Sequence, residues 1–148
     1  MIRVRGYIFS RPFMGERVPQ HVQNLVIRDY CERQNLQYLL SATEYAMQDC
    51  YLMLEQILED FRVVDGIVAY SLFQLPDNIA YRARIYDRII NEKKILHFAV
   101  EGLKACTQLE CRRIETLWRI SKTLPNCLNS DEFPSAWLPI QHGRLTEL

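Results

Sequence analysis

Arg5-Gly6-Tyr7-Ile8-Phe9-Ser10-Arg11-Pro12-Phe13, followed by Gly15-Glu16-Arg17-Val18-Pro19-Gln20, is the stretch on which the fold turns. The apolar run reads as a strand. Serine, arginine and proline stop it, and a helix pattern begins at about Pro19. Strand, polar loop, helix is the order that brings ligand-holding groups to the carboxyl edge of a parallel sheet. The order recurs after the next two apolar runs, at Ser41 to Tyr45 and at Tyr70 to Gln74.

Working outward, strands are expected over 4–9, 36–40, 63–72 and 95–100. The third is apolar almost throughout, as a strand buried on both faces should be. A helix over 19–33 takes Pro19 at its first position and repeats Val22, Leu25, Val26 and Tyr30 on one face. Asp49 is positioned to cap a helix whose Leu54, Ile57, Leu58 and Phe61 share a stripe. Pro76-Asp77-Asn78 is a turn and cap before a helix over 79–92, with Ile85, Tyr86, Ile89 and Ile90 inward. A long helix is expected over 103–124. The alternation implies an α/β fold: a mainly parallel four- to five-stranded sheet with helices on both faces. Residues 1–124 form this domain. The tail 125–148, through Trp137, Leu138 and Ile140, is expected to pack on it.

The 148 residues carry a formal charge of zero, with 49% apolar and 24% charged side chains. That is globular composition, and it disfavours a dedicated nucleic-acid binder, which needs a basic face. Arg82, Arg84, Arg88, Lys93 and Lys94, with Asp87 and Glu92 alongside, read as a solvated helix face. Neither a signal peptide nor a membrane span is expected, and the expected location is cytoplasmic. The five cysteines (31, 50, 106, 111 and 127) lack CxxC spacing and read as small buried residues. The three histidines (21, 97 and 142) form no ligand motif, so no metal and no cofactor are expected.

Two resemblances rest on particular residues. Gly6-Tyr7 with Ser10, Val22-Gln23-Asn24-Leu25 with Arg28-Asp29-Tyr30-Cys31, Asp65 to Leu72, and Leu96 to Leu103 resemble the catalytic domain of serine recombinases, the resolvases and invertases. The resemblance covers roughly the first 103 residues and implies that fold, with the last helix as a dimerising helix. It breaks where the chemistry lies. Ser10 matches the nucleophilic serine only with a one-residue slip. Phe73 and Gln74 stand where the family has Asp-Arg, and neither can neutralise charge in phosphoryl transfer. The family's DNA-binding helix-turn-helix pattern is not found either, so the resemblance implies fold and not recombination. Ser10 to Phe13, Pro19 to Tyr30, Leu40 to Met47 and Tyr70 to Pro76 are more closely similar to sporadic carbohydrate cluster proteins. That family implies a place in bacterial surface-polysaccharide synthesis without an assigned reaction.

Ser10, Arg11, Arg17, Gln20, Glu44, Tyr45, Tyr70, Ser71, Gln74 and Glu101 are expected around one crevice. Arg11 and Arg17 flank a helix amino end and suit an anion, or one of them pairs with Glu16 or Glu44. Glu44 is a general base or a holder of sugar hydroxyls, and equally a cap or ion-pair partner. Tyr45 and Tyr70 stack on a ring or pack as a lid. Ser71 and Gln74 would orient the ligand. Ser10 has no visible base, since His21 lies in a helix and His97, read as structural, in a strand. Two functions follow. One is an enzyme or binding component acting on a sugar phosphate or nucleotide sugar. The other is a non-catalytic recombinase-like dimer that scaffolds or regulates pathway enzymes. Both expect a homodimer through the 103–124 helix, with Trp118 as anchor.

Overall fold

A computed structural model describes residues 1–124. One compact unit runs Met1–Trp118 and a second Arg119–Leu148; of the second, 119–124 are described, as the end of the last helix. The expectations for Trp137, Leu138, Ile140, Cys127 and His142 lie outside the described residues.

Over the described residues the chain is an α/β fold with a five-stranded sheet and four α-helices. The strands are β1 (Arg3–Phe9), β2 (Gln37–Glu44), β3 (Gly66–Ala69), β4 (Ile95–Phe98) and β5 (Leu103–Ala105). Their order across the sheet is β2-β1-β3-β4-β5, parallel except for the antiparallel β4–β5 pair. The helices are α1 (Gln20–Arg33), α2 (Leu52–Glu59), α3 (Ile79–Asn91) and α4 (Gln108–Thr123). No described helix is long and apolar enough to cross a membrane.

Strand alternation sorts the core into two layers. Val4, Ile8 and Val68 pack with Ile27, Tyr30 and Cys31 of α1. Tyr7, Phe9, Ile67 and Phe98 pack on the opposite face with side chains of α2, α3 and α4. All four residues of β3 are buried, as a central parallel strand requires. Full burial of Ile67 or Val68 stabilises the fold by about 1.5–3 kcal/mol each.

Six details depart from the sequence reading. The buried stripe of α1 is Gln23, Ile27, Tyr30 and Cys31; Leu25 is exposed, and Val22 and Val26 are only half-buried. Both stripes have helical period, and the fit against Val4 and Ile8 selects between them. Pro19 sits one residue before the helix, its carbonyl accepting from Val22 and Gln23. β2 extends to Glu44, so Ser41 to Glu44 are strand and not loop, because β1 continues to pair with them. β3 covers only 66–69; Val63 is exposed and Leu72 opens a 3₁₀ turn, Leu72–Gln74. α2 begins at Leu52 with no side-chain bond from Tyr51 or Asp49 at the cap position. Finally, 103–105 is an edge strand, and α4 starts at Gln108.

Other expectations match the structure. Asn78 caps α3 by accepting the Tyr81 N–H at 3.0 Å. Ile85, Tyr86 and Ile89 are buried, with Ile90 packed at the margin. Leu54, Ile57, Leu58 and Phe61 are buried as a stripe. Cys31 and Cys111 are buried, whereas Cys50 and Cys106 are half-buried, and all four are free thiols.

The basic run on α3 is not uniformly solvated. Arg82 is 2% exposed, and its guanidinium lies 3.6 Å from the centroid of the Trp118 ring. Trp118 is therefore a core residue and not an exposed anchor; the exposed apolar residue of α4 within the first unit is Leu109. A three-residue strand interrupted by Lys104 carries no usable period, which is why β5 reads as helix in the sequence.

Candidate functional site

The carboxyl ends of β1, β2, β3 and β4 bring most of the candidate residues to one edge. β1 ends at Phe9, and its last peptide is paired by a side chain. The Gln23 amide on α1 accepts the Phe9 N–H at 3.0 Å and donates to the Phe9 carbonyl at 2.8 Å, as a neighbouring strand would. It also donates to Val18 O and accepts from Gln74 Nε2, both at 2.8 Å. Gln23 thus locks the strand end, the following loop and the 3₁₀ turn together. Sequence reasoning missed its role. A glutamine at i−4 from Ile27, on the face that proves to be buried, is the signal that was available.

The loop after β1 is closed by a two-residue turn. Met14 and Gly15 both have positive φ, 52° and 75°, and Phe13 and Glu16 exchange two backbone hydrogen bonds across them. Phe13 then meets Phe9 and Tyr70 edge-on, at centroid distances of 5.7 and 5.9 Å. Tyr70 is packed against this loop, and its N–H donates to Tyr7 O. At Gly6 the strands approach too closely for a side chain: a Cβ there would strike the Ser41 hydroxyl beside the β2 bulge.

Glu44 ends β2 and is 1% exposed. Its carboxylate accepts from the Tyr7 hydroxyl at 2.9 Å and from the Tyr45, Met53 and Leu54 N–H groups at 3.2 Å each. It therefore caps α2 from eight positions before that helix begins. Of the alternatives for Glu44, the geometry is that of the cap. Burial and the neighbouring Glu44 charge hold the Tyr7 hydroxyl well above the usual tyrosine range.

Ser10 donates its hydroxyl to Glu44 O at 2.7 Å. Arg11 is 8% exposed, not a solvated loop residue. Its Nη1 donates to Tyr45 O at 2.8 Å and Cys50 O at 2.9 Å. Its guanidinium carbon lies 4.2 Å from the Phe9 ring centroid and 5.0 Å from that of Tyr51. Nη2 is buried without a hydrogen-bond acceptor. Burial pushes the Tyr51 hydroxyl pKa up; its hydrogen-bonding interaction with the Arg11 side chain, and then the Arg11 charge, oppose that shift.

At the far side, Glu101 follows β4 and accepts from the Ser71 hydroxyl at 2.7 Å and from Leu72 N at 2.6 Å. Burial pushes its carboxyl above the usual range, against these two bonds. Its Oε2 and the Gln74 Oε1 are buried and unpartnered. Phe73 packs at the margin of the core.

Ser10, Arg11 and Glu44 are thus brought together around the 45–51 loop, and Ser71 with Glu101 form a second pair. Gln74 is linked through Gln23. Arg17 is exposed and reaches only the Ser10 carbonyl, at 3.2 Å. Gln20 is exposed at the start of α1, and Tyr45 contributes its backbone while about half of the residue is exposed. His97 lies away from this edge, with Nδ1 2.9 Å from the Tyr30 hydroxyl; burial and Lys104 push its pKa down to about 4.

No protein-family model and no curated protein matches the chain. Solved structures do. The N-terminal catalytic domain of TP901-1 integrase superposes with a TM-score of 0.59 at 15% identity, over 82% of this chain and 97% of that one. A resolvase family site-specific recombinase from Streptococcus pneumoniae gives 0.58 at 10% identity, over 85% and 91%. The resemblance to carbohydrate cluster proteins has no counterpart among these findings; the chain has the fold of serine recombinase catalytic domains.

Proposed function

We propose that this chain is a non-catalytic, recombinase-like domain that works by binding, as an assembly or regulatory component of surface-polysaccharide synthesis. One observation carries this reading. Ser10, Glu44, Ser71, Gln74 and Glu101 at the carboxyl edge are turned inward, onto backbone or onto one another. Ser10 is tied to Glu44 O, Glu44 caps α2, and Gln74, where the recombinase pattern has its arginine, is fully buried against Gln23. Phosphoryl transfer needs an activated hydroxyl and cations around the transferring group. The Ser10 hydroxyl bonds only the Glu44 carbonyl, and Arg17 reaches the Ser10 carbonyl rather than its hydroxyl. The pathway context comes from the similarity of residues 10–13, 19–30, 40–47 and 70–76 to carbohydrate cluster proteins.

The test is incubation of the chain and of Ser10→Ala with supercoiled plasmid and with duplex DNA at physiological salt. Intact plasmid and no mobility shift are expected. Nicking by the wild type that Ser10→Ala abolishes would defeat the reading.

A second reading, action on a sugar phosphate or nucleotide sugar, is favoured by the unpartnered Nη2 of Arg11. A ligand present at a hundredfold over its Kd should raise stability by about 2.7 kcal/mol in a thermal-shift screen, and a domain that binds only other proteins should show none.

A further inference from the structure

Two arginines are buried among the described residues, Arg82 and Arg11. Arg82 has a carboxylate partner, Glu115, at 2.7 Å. Arg11 has no ion pair, and its Nη2 has no acceptor. A guanidinium remains charged throughout the physiological range, so it cannot relieve burial by losing its proton. A buried charge without a counter-charge is strongly unfavourable, and protein interiors supply one where they can.

Glu44 makes no direct ion pair with the Arg11 guanidinium, whose hydrogen-bond partners are carbonyls. The Glu44 oxygens are taken by the Tyr7 hydroxyl, three backbone N–H groups and the Cys50 thiol. The two charged side chains instead grip the same loop. Glu44 takes the Tyr45 N–H and the Cys50 thiol, while Arg11 takes the Tyr45 and Cys50 carbonyls. Between these clamps residues 45–49 are exposed, and Asp49 has a φ of 58°. The loop is therefore a cover fastened to Arg11 through carbonyl oxygens, which a phosphate oxygen can replace with a stronger, charge-assisted bond.

We propose that Arg11 is an anion-binding residue and that a small phosphate-bearing ligand reaches it when the 45–51 loop lifts. The ligand pairs with the Nη2 edge of a guanidinium already oriented by the Phe9 and Tyr51 rings. Arg17, exposed and reaching the Ser10 carbonyl, stands at the outer side of the same turn and adds a second cation. The buried atom is out of reach of a DNA duplex, so the ligand class is a small anion. This proposal rests on the reading of the domain as one that binds.

The experiment titrates inorganic phosphate, and separately a hexose phosphate, into the full chain at constant ionic strength. It follows melting temperature and hydrogen exchange across 45–51. A saturable rise in melting temperature with altered exchange in that loop is expected. Arg11→Met should abolish the response, Arg11→Lys should weaken it roughly tenfold, and Arg17→Ala should weaken it severalfold. A tenfold preference for hexose phosphate assigns an organic phosphate, and equal affinity assigns the free anion. A wild type without response, or Arg11→Met responding like wild type, overturns the site. If Arg11→Met does not fold, a wild-type response that leaves exchange over 45–51 unchanged, or Arg11→Lys binding as tightly as wild type, overturns it equally. The outcome is separable from the plasmid assay: a silent titration with intact plasmid removes only this site, whereas nicking removes the binding reading itself.

Discussion

The corner around Arg82 and the edge around Arg11 hold the same kind of group in opposite states of completion. Arg82 donates Nε and Nη2 to Glu115 at 2.9 and 2.7 Å, and Nη1 to the Pro76 and Asp77 carbonyls at 2.9 and 2.8 Å. Its face lies on Trp118, and Glu115 also accepts the Tyr86 hydroxyl at 2.9 Å. The charge, all three guanidinium nitrogens and the apolar face of that arginine are used. Arg11 shares the aromatic stacking and the pair of carbonyls, and lacks the carboxylate. Burial alone therefore does not distinguish the two arginines; a directly paired carboxylate, present at Arg82 and absent at Arg11, does.

The comparison breaks most readily at Arg82. Arg82→Ala should cost about 3–5 kcal/mol, since it strips Glu115 of its partner and uncovers Trp118. Urea denaturation would measure it, and a loss near zero would mean that the corner is not closed as described.

His97 sharpens the contrast by titration. Its pKa is about 4 in the fold against 6.5 ordinarily, so the neutral form is the folded one. Its contribution is complete above about pH 6.5 and is lost as pH falls towards 4, because the unfolded chain takes up the proton first. The expected loss is up to about 3 kcal/mol across that window. His97→Gln should flatten the acid limb of a stability profile; an unchanged limb would place the titration elsewhere.

Glu44→Gln tests the other jaw of the loop clamp. Replacing the carboxylate sets an amide donor against backbone N–H groups, at a cost of about 1.5–3 kcal/mol. Hydrogen exchange at Met53 and Leu54 should rise first, because Glu44 holds those two amides.

The smallest effect is expected at Arg11. Arg11→Met gives up two bonds to carbonyls and also removes a buried charge with no directly paired carboxylate, so the net change should be about 1 kcal/mol or less. Chemical denaturation beside Arg82→Ala decides the matter. If the two variants are equally unstable, Arg11 is a structural arginine like the other.

Much of this frame was legible in the chain. The α/β order, the fully apolar third strand, the Asn78 cap and the inward stripe of α3 each follow from a local pattern of period or punctuation. The convergence of residues 10–11, 44–45, 70–74 and 101 on one edge follows from parallel strands joined through helices. The phase of α1 was not legible. Val22, Leu25, Val26 and Tyr30 offer as good a stripe as Gln23, Ile27, Tyr30 and Cys31 until a sheet is there to choose, and only Tyr30 is common to both. Nor was the inward turn of the site residues, since Ser, Arg, Gln and Glu suit a ligand and a backbone group equally well.

What the sequence determined by itself is the succession of the four parallel strands and the four helices, because helix and strand periods, turns and caps act over a few residues. Tertiary structure alone decided that Glu44 caps a helix, that Gln23 completes a strand end, that 103–105 joins the sheet edge, and that Arg82 meets Glu115 while Arg11 meets no carboxylate. The pairings among these join residues that the chain keeps five or more positions apart. Only packing brings such groups together, and burial then turns the pairing of charges and hydrogen-bonding groups into a large energy.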